Sequence, residues 1–375
     1  MKCSFDTKPQ TALPAQTCCL LNADCNLPKA VHRLAFPCCL FLVWLLAHCQ
    51  AQPPYVYVGK KMKGANLVAP PQKPSDSTLG TLHADGGDWV AVVPYGFCRK
   101  DTPHFYWHGN PPPGRRQMGQ WWGETPAGVA ETIQMARAQG MKVMLKPHVW
   151  MMGGSHLDLA FEQEADWLSF EADYRGYVLH NAHLADSLGV DLLCITTELD
   201  RFALSRPAFW TKLIDDVRKV YKGKLTYAAN WDRYPQLPFW NQLDYIGVDA
   251  YFPLSDATTP SEKAMVRGWK KPLAELEALS RKYQKPILFT EFGYRACNDA
   301  AARPWESETD CVPNPQAQAN AYAALHEAVW GQPWFAGGFL WKWFMNDQHG
   351  HRERDSFSPQ NKPAEAVLRR VWEGK

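Results

Sequence analysis

The sequence carries almost no net charge, +2 from 40 basic and 38 acidic residues, and no long run of one sign. A surface that follows a phosphate backbone needs a clustered positive face, so no nucleic-acid partner is expected. Long apolar runs are also missing: nothing reaches the roughly 18 residues that would read as a membrane span, so no integral membrane segment is expected in the mature chain. After the first strand-like run, Lys63-Gly64-Ala65-Asn66 has neither GxGxxG nor GxxxxGKS/T spacing, which removes the main support for a nucleotide, and no cofactor is expected. Metal-ligating residue types are dense only at His349, His351, Glu353 and Asp355. That stretch reads as a solvated or substrate-facing rim, so no metal is expected. No internal repeat appears, and the Pro-rich stretches at 70–74 and 111–113 read as loops and not as interdomain linkers.

Cysteine is unevenly spread. Of the 11 in the chain, Cys3, Cys18, Cys19, Cys25, Cys38, Cys39 and Cys49 lie before residue 50, outside the regularly patterned region. Cys297 and Cys311 share one later loop, and a bridge between them is a working hypothesis; closing about 14 residues would contribute roughly 3 kcal/mol in the chain-entropy account. Hydrophobic residues make up 46% and charged residues 21%, enough to bury a large core and too apolar for a disordered chain.

Lys29 and His32-Arg33 precede an apolar run from Leu34 to Ala47, with a small residue at Ala51. That is the basic, hydrophobic and cleavage-site order of a secretory signal. A secreted or periplasmic protein is expected, with residues 1–52 as an N-terminal extension and signal and residues 53–375 as one catalytic domain. Leu46-Ala47-His48-Cys49 loosely resembles a bacterial lipoprotein box, with His48 bulky where a small residue is usual, so a lipid anchor at Cys49 is the alternative.

From residue 60 onward, short β-rich apolar runs alternate with longer helix-patterned segments, the signature of parallel βαβ units. The runs are Met62 to Val68, Trp89 to Phe97, Lys142 to Trp150, Leu192 to Glu198, Lys224 to Trp231, Tyr245 to Phe252, Pro286 to Tyr294 and Phe335 to Phe344. Between them, Thr125-Pro126, Pro207 and Asn314-Pro315 open helix candidates reaching Gln139, Tyr221 and Trp330, and an amphipathic segment from Pro363 to Trp372 follows the last run. Eight strands with eight crossovers predict an α/β fold, a single (β/α)8 TIM barrel.

In such a barrel, chemistry belongs at the C-terminal ends of the strands. Asn66 closes strand one, Tyr95 strand two, Lys146, His148 and Trp150 strand three, Glu198 strand four and Asn230 with Trp231 strand five. Asp249 and Tyr251 close strand six, Glu291 and Tyr294 strand seven, and Trp341 and Trp343 strand eight. Apart from Glu198, Glu291 and Tyr251, these make up the expected substrate-binding surface. Individually they have plainer readings: His148 and Lys146 as satisfied strand-end residues, Asp249 as a brace for Tyr251, and any one of the 17 tryptophans as core filling. Glu198 and Glu291 each follow an apolar β run, where a charge is costly unless used or paired. Strands four and seven face one another across a barrel mouth, so the two carboxylates are candidates for double displacement at an anomeric carbon, one attacking and the other protonating the leaving oxygen.

Several stretches carry a resemblance: Lys146-Pro147-His148, Thr197-Glu198-Leu199, residues Leu225 to Trp231, Tyr245 to Phe252, and Phe289 to Tyr294. In order across Gly59 to Trp372, they resemble glycoside hydrolase clan A, and more closely family 113, whose described members include β-mannanases. The resemblance implies Glu198 as acid/base, Glu291 as nucleophile, Tyr251 as a hydrogen-bond donor to the nucleophile, and Trp341 as the floor of the sugar site at the cleavage point. Thr197 departs from the wider clan, which places Asn there to bind the sugar 2-hydroxyl. The expected partner is a β-linked polysaccharide or oligosaccharide, β-1,4-mannan first, handled by a monomer. Another β-glycan such as a glucan, transglycosylation by the same mechanism, and a non-catalytic carbohydrate-binding barrel are the alternatives; the presence of both glutamates argues against the last.

Overall fold

The computed structural model describes residues 52–74, 79–114, 121–307, 311–345 and 355–374. The candidate export signal, Cys49, His349, His351 and Glu353 lie outside the described residues. The strands are β1 (Met62–Leu67), β2 (Trp89–Val92), β3 (Tyr95–Arg99), β4 (Thr102–Tyr106), β5 (Lys142–Leu145), β6 (His148–Met152), β7 (Leu192–Thr197), β8 (Lys224–Asn230), β9 (Ile246–Asp249), β10 (Ile287–Phe292) and β11 (Phe335–Trp343). Eight of them close into a barrel in the order β1-β11-β10-β9-β8-β7-β5-β2, with β1 pairing β2 and every pair parallel. The helices around it are α1 (Gly80–Ala84), α2 (Pro126–Ala138), α3 (Glu164–Ser187), α4 (Asp200–Ser205), α5 (Pro207–Val220), α6 (Glu262–Gly268), α7 (Lys270–Tyr283), α8 (Pro315–Leu325) and α9 (Pro363–Trp372). This is the (β/α)8 TIM barrel.

Buried side chains alternate along the strands between two sets. Met62, Trp89, Ala91, Met144, Leu192, Cys194, Ala228, Leu288 and Phe339 form one cluster, drawn from strand after strand, which fills the barrel interior. Ala65, Val90, Val143, Leu193, Ile195, Leu225 and Phe289 belong to the other, packed against the helices. Burial on both faces is why each strand reads as an unbroken apolar run.

Four helices open with proline where a missing N–H costs least: Pro126, Pro207, Pro315 and Pro363 stand at the first positions, as the sequence predicts. Thr125 Oγ1 accepts the Gly128 N–H at 3.1 Å, and Asn314 Oδ1 accepts the Ala317 N–H at 3.0 Å. α8 ends at Leu325 and continues as a π turn over His326–Trp330, so the expected helix to Trp330 is covered by two kinds of helical turn. α3 carries no such start signal, since Gln163 makes no side-chain cap bond.

Two expected strands come out divided. The runs from Trp89 and Lys142 leave the barrel at Val92 and Leu145, then resume as β3 and β6, which pair in parallel from Tyr95 with His148 to Arg99 with Met152. β4 joins β3 antiparallel to make a small sheet at the barrel mouth. Pro94 and Pro147 stand at the breaks, each without an N–H to offer a ladder. The gap is stitched by the Lys146 N–H to the Val92 carbonyl at 2.9 Å and the His148 N–H to the Pro94 carbonyl at 2.8 Å. From this sheet Tyr95, His148 and Trp150 reach the mouth.

Candidate active site

The top layer of the barrel interior is polar. Asn66, Lys146, Thr196, Asp249 and Thr290 are all 0% exposed. The Asn66 amide faces the carbonyls of Thr290, Phe339 and Leu340 at 3.1 to 3.4 Å. Thr290 Oγ1 donates to Asp249 Oδ1 at 2.7 Å. This layer supports the site from below, and so three expected substrate contacts are corrected: Asn66, Asp249 and Lys146 are sealed beneath the floor and do not line the cleft. Two more fall outward. Tyr294 packs edge-on to Tyr322 of α8 at 5.8 Å, and Trp343 belongs to the outer core at 1% exposure. Strand-end position alone does not separate the last inward layer from the surface above it.

On that support stands Glu291. Lys146 Nζ donates to its Oε1, His148 Nε2 lies 3.3 Å from the same oxygen, and the Tyr251 hydroxyl donates to Oε2 at 2.7 Å. Burial would push the carboxyl up; the Lys146 charge and the hydrogen bonds from His148 and Lys146 outweigh it and hold Glu291 well below the ordinary carboxylate range. Asp249 moves the other way, raised by burial and by the like charge of Glu291. Burial pushes His148 down to about 4, with the Lys146 charge adding to the effect and Glu291 opposing it, so the ring is neutral at neutral pH. Lys146, although buried, is held above its ordinary value by Asp249 and Glu291 and remains a cation.

Glu198 follows β7 with φ of +53°, in the left-handed region where a residue other than glycine is strained. Its N–H is tied to the Ala228 carbonyl at 2.8 Å. Asp200, two residues on, receives the Tyr227 hydroxyl at 2.7 Å and the Asn230 N–H at 2.8 Å, which locks the ends of β7 and β8 together. Among the described residues the carboxylate of Glu198 forms one ion pair, with His156, whose Nε2 lies 3.5 Å from Oε2, within ion-pair reach but long for a hydrogen bond; the like charges of Asp200 and Asp249 and the Tyr251 hydroxyl also act on it.

Glu198 and Glu291 open onto one cleft of about 770 Å³, lined also by Tyr95, His148, Trp150, Asn230, Trp231, Tyr251 and Trp341. Those expected residues are thus brought together. Trp341 lies nearly parallel to His148, centroids 5.8 Å apart and planes 16° apart, with Lys146 Nζ 5.6 Å from its ring centre. His156, Asp232, Trp305 and Phe357 line the cleft as well. None is on a strand-end motif except Asp232, and the only sequence signal for Trp305 was its place in the loop between Cys297 and Cys311. That bridge is present, with Cα atoms 5.8 Å apart. Thr197 is 1% exposed and does not line the cleft. Asp355 accepts the backbone N–H groups of Phe357 and Ser358 and pairs with Lys342 at 2.8 Å. Among the described residues, no group of His, Cys, Asp and Glu could hold a metal, and no helix is long and apolar enough to cross a membrane.

Two acidic side chains in one cleft, one kept ionised and one without hydrogen-bond donors among the described residues, over flat aromatic faces, suit hydrolysis at a sugar. Comparison with known structures agrees on the fold. A family 113 β-mannanase from Alicyclobacillus acidocaldarius superposes with a TM-score of 0.70 at 24% identity, over 84% of this chain and 98% of that one. A second family 113 β-1,4-mannanase gives 0.69 at 23%, over 84% and 100%. A β-glucuronidase from Faecalibacterium prausnitzii gives 0.55 at 13%, over 86% of this chain and 49% of that one. No curated protein sequence matches the chain. The model of glycoside hydrolase family 113 matches residues 122–362, from the turn before α2 to the residue before α9 and through both glutamates, and the chain therefore belongs to glycoside hydrolase family 113.

Proposed function

We propose that this glycoside hydrolase is a retaining β-mannanase that cleaves β-1,4-mannan by double displacement. The observation that carries the reading is the unequal treatment of two glutamates in one cleft. Glu291 has Lys146, His148 and Tyr251 on its oxygens, so it is an anion ready to attack the anomeric carbon. Among the described residues Glu198 has no such set of donors, and it faces the same space. In the first step Glu291 forms the bond to the anomeric carbon as Glu198 gives its proton to the departing glycosidic oxygen. In the second, Glu198 takes a proton from water, the water oxygen replaces Glu291, and both carboxyl groups return to their starting states. Trp341 offers the face on which the ring rests at the cleavage point, and its position over Lys146 keeps that floor next to the nucleophile.

Mannan as substrate is supported by the family and by the likeness to two family 113 β-mannanase structures. The test is a product profile on β-1,4-mannooligosaccharides with the first-formed anomer followed by NMR. Release of the β-anomer is expected, with reducing ends appearing from mannan and not from glucan, xylan or galactan. First release of the α-anomer would overturn retention, and turnover of glucan in preference to mannan would overturn the sugar. Glu291→Ala is expected to remove nearly all hydrolysis with folding intact.

A further inference from the structure

We propose that Trp305 is a specificity-determining residue that carries a sugar ring away from the point of cleavage, and that the Cys297–Cys311 bridge positions it. The inference rests on the reading of the cleft as a β-glycan site. Trp305 is 43% exposed and turns part of its indole toward the cleft. It stacks on Trp231, with ring centres 5.1 Å apart and planes 19° apart, and both line the cleft that holds Glu198 and Glu291.

The loop that delivers Trp305 is tied on each side of it. The Cys297–Cys311 bridge closes its base, reinforced by the Asn298 N–H to the Val312 carbonyl at 2.9 Å and the Asn314 N–H to the Ala296 carbonyl at 2.7 Å. The neighbouring Glu306 pairs with Arg295 at 3.1 Å and with Arg303 at 3.0 Å, and Arg295 is itself 5% exposed. A side chain held in place before the ligand arrives loses little freedom on binding, so its stacking face is available at low cost. A pyranose has apolar C–H faces that match a flat indole, and the Trp231–Trp305 stack presents such a plane.

Trp341, by contrast, contacts His148 and Lys146, the neighbours of Glu291. Among the described residues, the ring contact of Trp305 is with Trp231. Trp341 therefore serves the sugar that reacts, and Trp305 one that does not. Only a chain long enough to reach the stack gains from it.

Kinetics of Trp305→Ala, Trp305→Phe and the double variant Cys297→Ser with Cys311→Ser, on β-1,4-mannohexaose and on a short aryl β-mannoside, test the proposal. In W305A the KM for the hexaose is expected to rise about tenfold, as loss of one aromatic stacking contact of about 1.4 kcal/mol implies, with kcat within about twofold. Constants for the short substrate stay unchanged, and W305F restores most of the hexaose affinity. The double serine variant, or wild-type protein reduced with dithiothreitol should that variant fail to fold, shows the same rise confined to the hexaose. An unchanged hexaose KM in W305A, or an equal loss on both substrates, overturns the role of Trp305; a rise in W305A that the broken bridge does not reproduce overturns the positioning role. Wild-type protein that hydrolyses no mannohexaose defeats the functional reading instead, and affinity electrophoresis of the same variants on the polysaccharide panel then carries the comparison.

Discussion

Glu291 keeps its charge in a site where burial works against it, and the Lys146 cation just below it is the main reason. Replacing that lysine by methionine keeps the volume and removes the charge. Burial then acts with less opposition and Glu291 titrates at higher pH. Lys146→Met is therefore expected to lower kcat/KM and to move the acid limb of its pH profile upward; a profile of unchanged shape would show that Lys146 does not set the state of Glu291. Tyr251 acts on the other oxygen, at 2.7 Å. A hydrogen bond to a charged group contributes about 1.5–3 kcal/mol, so Tyr251→Phe is expected to lower kcat/KM by roughly 10- to 100-fold. Circular dichroism on the same variant should be unchanged, because the ring and its packing remain.

At the scale of elements, local chemistry sets where each piece begins. Thr125 caps α2 through the Gly128 N–H and also donates to the Trp122 carbonyl at 2.7 Å, fastening the helix to the turn before it. Thr125→Ala is expected to cost about 1 kcal/mol, read as a lower urea midpoint with an unchanged slope. The same directness made the barrel legible in the sequence: parallel strands buried on both faces leave continuous apolar runs, and prolines at Pro126, Pro207, Pro315 and Pro363 mark helix starts. The division of two runs at Pro94 and Pro147 was less legible, because parallel pairing resumes beyond each break with residues of the same apolar character. Site residues followed the same logic. Glu198, Glu291, Tyr251 and His148 were legible because they combine a strand end with a costly or reactive group. Asn66, Asp249, Tyr294 and Trp343 shared the strand ends but not the cleft, since one step of depth or direction cannot be counted along a chain. His156 and Trp305 sit in loops, where no periodicity points the side chain.

For the molecule as a whole, buried His148 and half-buried His326 tie stability to pH. Burial lowers His148 to about 4, and burial with the charges of Lys63, Lys61 and Arg370 lowers His326 to about 4, from an ordinary 6.5. His326 lies on the π turn after α8, stacked on Trp330 at 5.2 Å, and is not among the residues that line the cleft. Between pH 6.5 and 4 the unfolded chain binds protons at these positions that the folded chain refuses, so stability falls as pH falls through that window. Glu291 behaves as a depressed carboxylate: its contribution is complete above its ordinary value of 4.5 and is lost at lower pH. Thermal unfolding followed from neutral to acid pH is therefore expected to show Tm declining first through the histidine window and then further as Glu291 is protonated. His326→Gln removes one histidine without touching the cleft, so its Tm should decline less steeply between pH 6.5 and 4 while kcat at neutral pH stays at the wild-type value. Parallel Tm curves for the two proteins across that window would show that His326 is protonated alike in the folded and unfolded chains, and the acid sensitivity would then belong to the active-site cluster alone.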